Sequence, residues 1–163
     1  MKVYIYIVLV ILLSSCNKFS NDFFEFLFSS KGISLSRDCE NNPSLFSEGR
    51  SFESYSLSEQ NEKLALRGIS NKSDFIKNSK YSRYETPVWR KTPEVDLQEN
   101  VYSFIHSEMN DEKNKCFEEN DLIKVLQEKD NYYTFLKDDV GRSKLFILDT
   151  HKRKLYLLTS YEL

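Results

Sequence analysis

The chain has 163 residues, with 23 Lys and Arg against 25 Asp and Glu, for a formal charge of −2. That balance provides no drive toward nucleic acid, whose binding is built on neutralising phosphates. Twelve Phe, ten Tyr and one Trp, with only four Gly and three Pro, exclude collagen-like and low-complexity chains and indicate a folded domain.

The first residues read as an address. Lys2 supplies one positive charge, and residues 3–13 (VYIYIVLVILL) carry none. A helix crossing the hydrocarbon core needs about 20 apolar residues, so this run is too short to span and fits the apolar stretch of a signal peptide. Leu13, Ser14, Ser15 and Cys16 follow. This segment resembles the lipobox of bacterial lipoproteins, in which leucine and two small residues precede an obligatory cysteine. The resemblance covers about a tenth of the chain. It implies cleavage before Cys16, with the Cys16 thiol carrying the lipid, and several acyl chains hold a membrane far better than one. Asn rather than Asp at position 17 implies, by the same resemblance, the outer membrane facing the periplasm. The expected organisation is a signal peptide at 1–15, a lipidated cysteine and short tether at 16–22, and one domain at 23–163. Loss of residues 1–15 leaves 148 residues, enough for one core.

In the domain, Phe24, Phe26 and Phe28 alternate at the strand period, Ser29-Ser30-Lys31-Gly32 forms a turn, and Ile33 and Leu35 alternate again, so a first hairpin is expected. Residues 38–49 read as a loop that contains Cys39. Residues 51–70 fit a second hairpin, with a short helix as the alternative: Ser56 and Glu59 match a capping box and Gly68 a helix end. One helical turn is expected near residues 71–78. Pro87 and Pro93 hold residues 81–93 extended. Leu97, Val101, Phe104, Ile105 and Met109 lie near one stripe, so 95–109 reads as a helix. Residues 110–120 form a charged loop with Cys116. Residues 122–126, 132–136, 144–148 and 155–159 read as a four-stranded antiparallel meander. The fold expected is mainly β, antiparallel hairpins with one or two short helices, with α+β as the alternative.

Cys39 and Cys116 are the two cysteines left after Cys16. An even pair in an exported chain predicts a disulfide, and closing so long a loop stabilises by up to about 4–5 kcal/mol on the chain-entropy model. Neither has a nearby Cys or His, so no metal is implied.

The catalytic inventory is thin. His106 and His151 are the two histidines, the first on the expected helix and the second in the charged turn His151-Lys152-Arg153-Lys154. There is no G-x-S-x-G, Walker loop, G-x-G-x-x-G or H-E-x-x-H. Glu118-Glu119 and Asp138-Asp139 fit solvated turns better than glycosidase carboxylates across a cleft. No cofactor is implied. Tyr81, Tyr84, Trp89 and Arg90 are instead the residue types that dominate interface hot spots, on a segment whose prolines lower the ordering cost of binding. An open edge of the meander is a second candidate. The expected role is thus non-enzymatic: a lipid-anchored envelope protein binding another protein, as an accessory factor or a toxin-immunity protein. A small apolar-ligand carrier and a hydrolase without a recognisable motif are the alternatives.

Overall fold

A computed structural model describes residues 20–41, 50–71, 79–93, 99–109, 115–139 and 141–161. In chain order these form α1 (Asn21–Phe28), β1 (Ser36–Asn41), β2 (Ser51–Ser56), α2 (Glu59–Ser70), a 3-10 turn (Ser79–Tyr81), β3 (Arg90–Lys91), α3 (Glu99–Met109), α4 (Glu119–Gln127), β4 (Tyr132–Lys137), β5 (Arg142–Asp149) and β6 (Lys154–Tyr161). The strands make one open antiparallel sheet in the order β1-β2-β6-β5-β4-β3. The mainly-β, antiparallel class with helices is therefore what the chain adopts.

Helices cover both faces of that sheet. Under α1 and α2 lie Tyr55, Leu136, Phe146, Leu148, Leu155 and Leu157. Under α3 and α4 lie Phe52, Tyr133, Leu145, Ile147, Tyr156 and Leu158. Register explains the split: Phe146 faces Leu157 while Leu145 faces Leu158, and successive side chains point to opposite faces. The central strands β5 and β6 are buried on both sides, so they read as continuous apolar runs rather than alternating ones.

Four expected strands are helices or lie outside the strands. Residues 24–28 belong to α1, not to a hairpin. Phe23, Phe24, Phe26, Leu27 and Phe28 are all at most 2% exposed, which satisfies period two and period 3.6 equally, so alternation carried no information. Ser29 in the left-handed region (φ 50°) ends the helix, and its N–H donates to the Phe26 carbonyl. The turn at 29–32 is present, with Gly32 at φ 75° and its N–H donating to Glu25 Oε1. Asn21 and Asp22 are already helical rather than part of a tether. Ile33 and Leu35 are buried but outside any strand; β1 starts one residue later and contains Asp38 and Cys39, which were expected in a loop.

Within residues 51–70, only Ser51–Ser56 is a strand. α2 follows, capped by Ser58, whose Oγ accepts from the Asn61 N–H at 3.2 Å, two residues beyond the expected cap at Ser56. Gly68 does not end α2. It allows the helix to touch the α1 backbone, since a Cβ there would sit 1.8 Å from the Phe28 carbonyl oxygen. Residues 122–126 are in α4, not a fourth meander strand: Leu122, Val125 and Leu126 are buried at helical spacing. The meander is β4-β5-β6; β2 pairs with six residues of β6, whereas β3 pairs with β4 only at Tyr132 and Tyr133. The expected helix at 95–109 is observed from Glu99, with Val101 and Ile105 buried. Residues 72–78, expected as a helical turn, lie outside the described residues, as do 42–49.

Candidate functional site

The segment from Tyr81 to Lys91 runs beside β4, bridging to it at Tyr84 with Asp138 and pairing again at Arg90 with Tyr133. Its aromatic rings point inward. Tyr81 is a core residue, 7% exposed, with its ring 5.4 Å from Phe23 and 5.3 Å from Phe26 and its hydroxyl 2.9 Å from Ser20 Oγ. An exposed Tyr81 on a binding face is thus corrected: α1 needs that ring to close its own flank. Tyr84 is half-buried. Burial pushes its phenol above the usual tyrosine range, while Arg83 stacks 5.1 Å from the ring centre and lowers it in part. Trp89 lies flat on Phe28, centroids 5.1 Å apart, and its indole N–H donates to the Leu27 carbonyl at 2.9 Å. Arg90 is half-buried in β3. The outward residues are their neighbours, Arg83, Glu85, Thr86 and above all Val88, which is 59% exposed.

Beside Trp89 a groove opens between the end of α1, the second half of α2 and residues 86–89. Two hollows of 370 Å³ and 230 Å³ meet at Ser29 and Gly68. Leu64 and Ile69 of α2 line it on one side, Pro87 and Val88 on the other. Its floor is rigid, because Gly68 rests on the α1 backbone and Trp89 is held by both a ring stack and a hydrogen bond. The sequence hinted at the 86–89 wall through its prolines, but not at the α2 wall, which was read as a strand.

Cys39 and Cys116 are disulfide-bonded, with Cα atoms 5.5 Å apart and a separation of 77 in sequence. The bond ties the edge strand β1 to the stretch before α4. Cys16 lies outside the described residues.

Sequence reading missed a buried ionic cluster where β1, β2, β5 and β6 meet. Glu53 is 4% and Lys144 6% exposed. The Tyr55 hydroxyl donates to Glu53 Oε2, Arg37 Nη1 is 3.7 Å from the same oxygen, and Lys144 Nζ donates to Thr159 Oγ1 at 3.4 Å. Burial pulls the Lys144 ammonium down to about 8, with Glu53 opposing that shift. Burial likewise raises the Glu53 carboxyl, and the Tyr55 hydrogen bond lowers it in part. Tyr55 itself is pushed far up, first by burial and then by the Glu53 charge. No periodicity could have found this set, because its members stand opposite one another only once β6 is seated between β2 and β5.

His106 is on the exposed side of α3, its side chain 68% exposed and Nδ1 3.1 Å from Glu119 Oε1. The adjacent Ser107 hydroxyl donates to the Phe104 carbonyl of its own helix at 3.0 Å rather than toward the imidazole. His151 Nε2 donates to the Lys129 carbonyl at 3.0 Å, since a carbonyl oxygen only accepts. Glu119 is in the first turn of α4, where its charge suits the helix dipole. Asp138 and Arg142 pair across the β4–β5 turn at 3.0 Å.

Among the described residues no three His, Cys, Asp or Glu side chains are grouped as metal ligands. No described helix is long and apolar enough to cross a membrane. No protein-family model matches the chain, and neither a curated protein nor a solved structure shows significant similarity to it.

Proposed function

We propose that the chain is made as a lipoprotein precursor, is anchored through lipid on Cys16 at the outer membrane facing the periplasm, and uses its folded domain to bind another protein without catalysing a reaction. Either an envelope accessory factor or a toxin-immunity protein would fit that description. The observation that carries the reading is the use of the three cysteines. Cys39 and Cys116 are bonded to each other, and such bonds persist in oxidising compartments such as the periplasm. That leaves Cys16, the one cysteine preceded by Leu13-Ser14-Ser15, for lipid. The short apolar run at 3–13 suits a cleaved leader better than a span. For the binding role, support comes from the exposed Val88 beside Trp89 on an ordered groove, the kind of aromatic and aliphatic surface that anchors interfaces.

The test is performed on the full chain in its bacterial host or a close substitute. Feeding an alkyne analogue of palmitate should label the native protein and leave Cys16→Ala unlabelled, with the unlabelled form lost from the membrane fraction. A photo-crosslinking residue is then placed in turn at Val88, at Asp38 on the β1 edge and at Ser103 on α3. A discrete protein adduct from at least one position supports partner binding. An intact product starting at Met1 with no acyl group would refute the anchor, and absence of any adduct at all three positions would refute the binding role.

A further inference from the structure

The groove between α1, α2 and residues 86–89 has a charge bias opposite to that of the whole chain. The chain carries a formal charge of −2. Yet the charged residues lining the two hollows are Lys31 and Arg67, both cations, and the acid in the adjoining hollow at Arg67, Glu59, is paired with Lys63 at 2.7 Å. Both are exposed, and neither forms an ion pair with a described residue. Around them the lining is aliphatic: Leu64, Ile69, Pro87 and Val88.

The backbone along one wall is also available. Residues 85–89 belong to no strand, and among the described residues the N–H and C=O groups of Thr86 and Val88 have no hydrogen-bond partner. An extended peptide laid there could exchange main-chain hydrogen bonds with them while its side chains enter the groove. The groove is already shaped, since Trp89 is fixed on Phe28 and Leu27, so little ordering is needed on binding.

We propose that this groove takes an extended segment of a partner protein in which carboxylates alternate with aliphatic side chains, the carboxylates meeting Lys31 and Arg67 and the aliphatic groups covering Val88 and Leu64. This rests on the reading of the chain as a protein-binding domain and specifies the chemistry of the partner. Opposite charges across the rim would speed encounter and reject basic segments.

Trp89 is the single tryptophan of the chain, so its emission reports from the wall of the groove. The probes are two pools of short acetylated peptides, one alternating Asp or Glu with Leu, Ile or Val, the other with Lys in place of the acids. They are titrated into the full chain in detergent micelles. The acidic pool is expected to shift Trp89 emission saturably, with the basic pool about tenfold weaker or more and the acidic response falling as salt rises. The K31Q/R67Q variant should lose the preference, and K31E/R67E should reverse it, with near-ultraviolet circular dichroism confirming that each is folded. No saturable shift with the acidic pool, equal responses to both pools, or an unchanged preference in folded K31Q/R67Q would overturn the proposal. An equal response to octanoate would replace the peptide with a fatty anion and overturn it as well. If a partner crosslinks through Asp38 or Ser103 while the acidic pool leaves Trp89 unmoved, this inference fails and the protein-binding reading stands. If the acidic pool binds but no partner crosslinks anywhere, the binding role in the cell fails instead.

Discussion

Replacing Gly68 with Ala separates two physical effects of opposite sign. Gly68 lies inside α2, two residues before its end. Helix propensity alone favours alanine there by about 1 kcal/mol. The contact with α1 opposes it. An ideal Cβ at position 68 would lie 1.8 Å from the Phe28 carbonyl oxygen, 2.9 Å from the Phe28 carbonyl carbon and 3.2 Å from Ser30 Cβ. The obstruction is backbone, so no rotamer relieves it, and α1 and α2 must move apart by more than an ångström. α1 carries five nearly fully buried side chains, so its displacement is felt throughout that side of the sheet. Overpacking costs about 1–3 kcal/mol, and an obstruction of this kind belongs at the upper end. After the propensity gain, G68A should be destabilised by about 2 kcal/mol, lowering Tm by roughly 4–8 °C in a domain of this size. The assay is thermal unfolding followed by far-ultraviolet circular dichroism, with Trp89 emission as a local probe because its indole is bonded to Leu27 of α1. An unchanged or raised Tm would refute the α1–α2 contact, since only propensity would then be operating.

Three other outcomes are expected. The double variant C39S/C116S should lose up to about 4–5 kcal/mol, given the 77-position separation, with a lower urea midpoint and faster amide exchange in β1; a loss below about 1 kcal/mol would contradict the chain-entropy account. Lys144 titrates at about 8 in the folded chain against 10.5 when free, so between those values the unfolded state binds more protons and stability rises with pH. The penalty is complete below about pH 8 and is at most about 3 kcal/mol; K144M should remove the upward slope between about pH 8 and 9.5, and a slope equal to that of the native chain would show that Lys144 is not its source. Tyr156, pushed up to about 12 by burial, works in the other direction only at higher pH, where the folded chain keeps a proton the unfolded one releases. Finally, W89F keeps the stack on Phe28 but deprives the Leu27 carbonyl of its donor, which should cost about 1–2 kcal/mol by chemical denaturation; a neutral result would mean that carbonyl is satisfied by water.

Where short apolar runs were bounded by turn residues, the sequence was readable. Residues 132–136, 144–148 and 155–159 read as strands because Tyr, Phe, Leu and Ile are bounded by turn residues; they lie within β4, β5 and β6, and the turns between them form at Gly141 (φ 82°) and Arg153 (φ 54°). The disulfide was legible from cysteine arithmetic alone. In contrast, FFEFLF has too few polar residues to mark a period, and LIKVL is short enough for Leu122, Val125 and Leu126 to pass as a strand although their spacing is helical. For the aromatic segment, composition does not give orientation. Tyr81 and Trp89 turned toward α1, and the exposed surface fell to Val88 and its neighbours. The α2 wall of the groove and the Glu53–Lys144 cluster both arise from pairings distant in sequence, which one-dimensional patterns do not encode.

The strand order has a consequence for how such a chain can be completed. β6, the last strand in chain order, lies between β2 and β5. Without residues 154–161 the β1-β2 hairpin and the β3-β4-β5 ladder share no sheet hydrogen bonds, each has an unsatisfied border, and only the Cys39–Cys116 bond and helix packing such as Phe23 on Phe146 join them. The last strand therefore closes the sheet from both sides at once, and a polypeptide stopped short of Lys154 would have no continuous sheet.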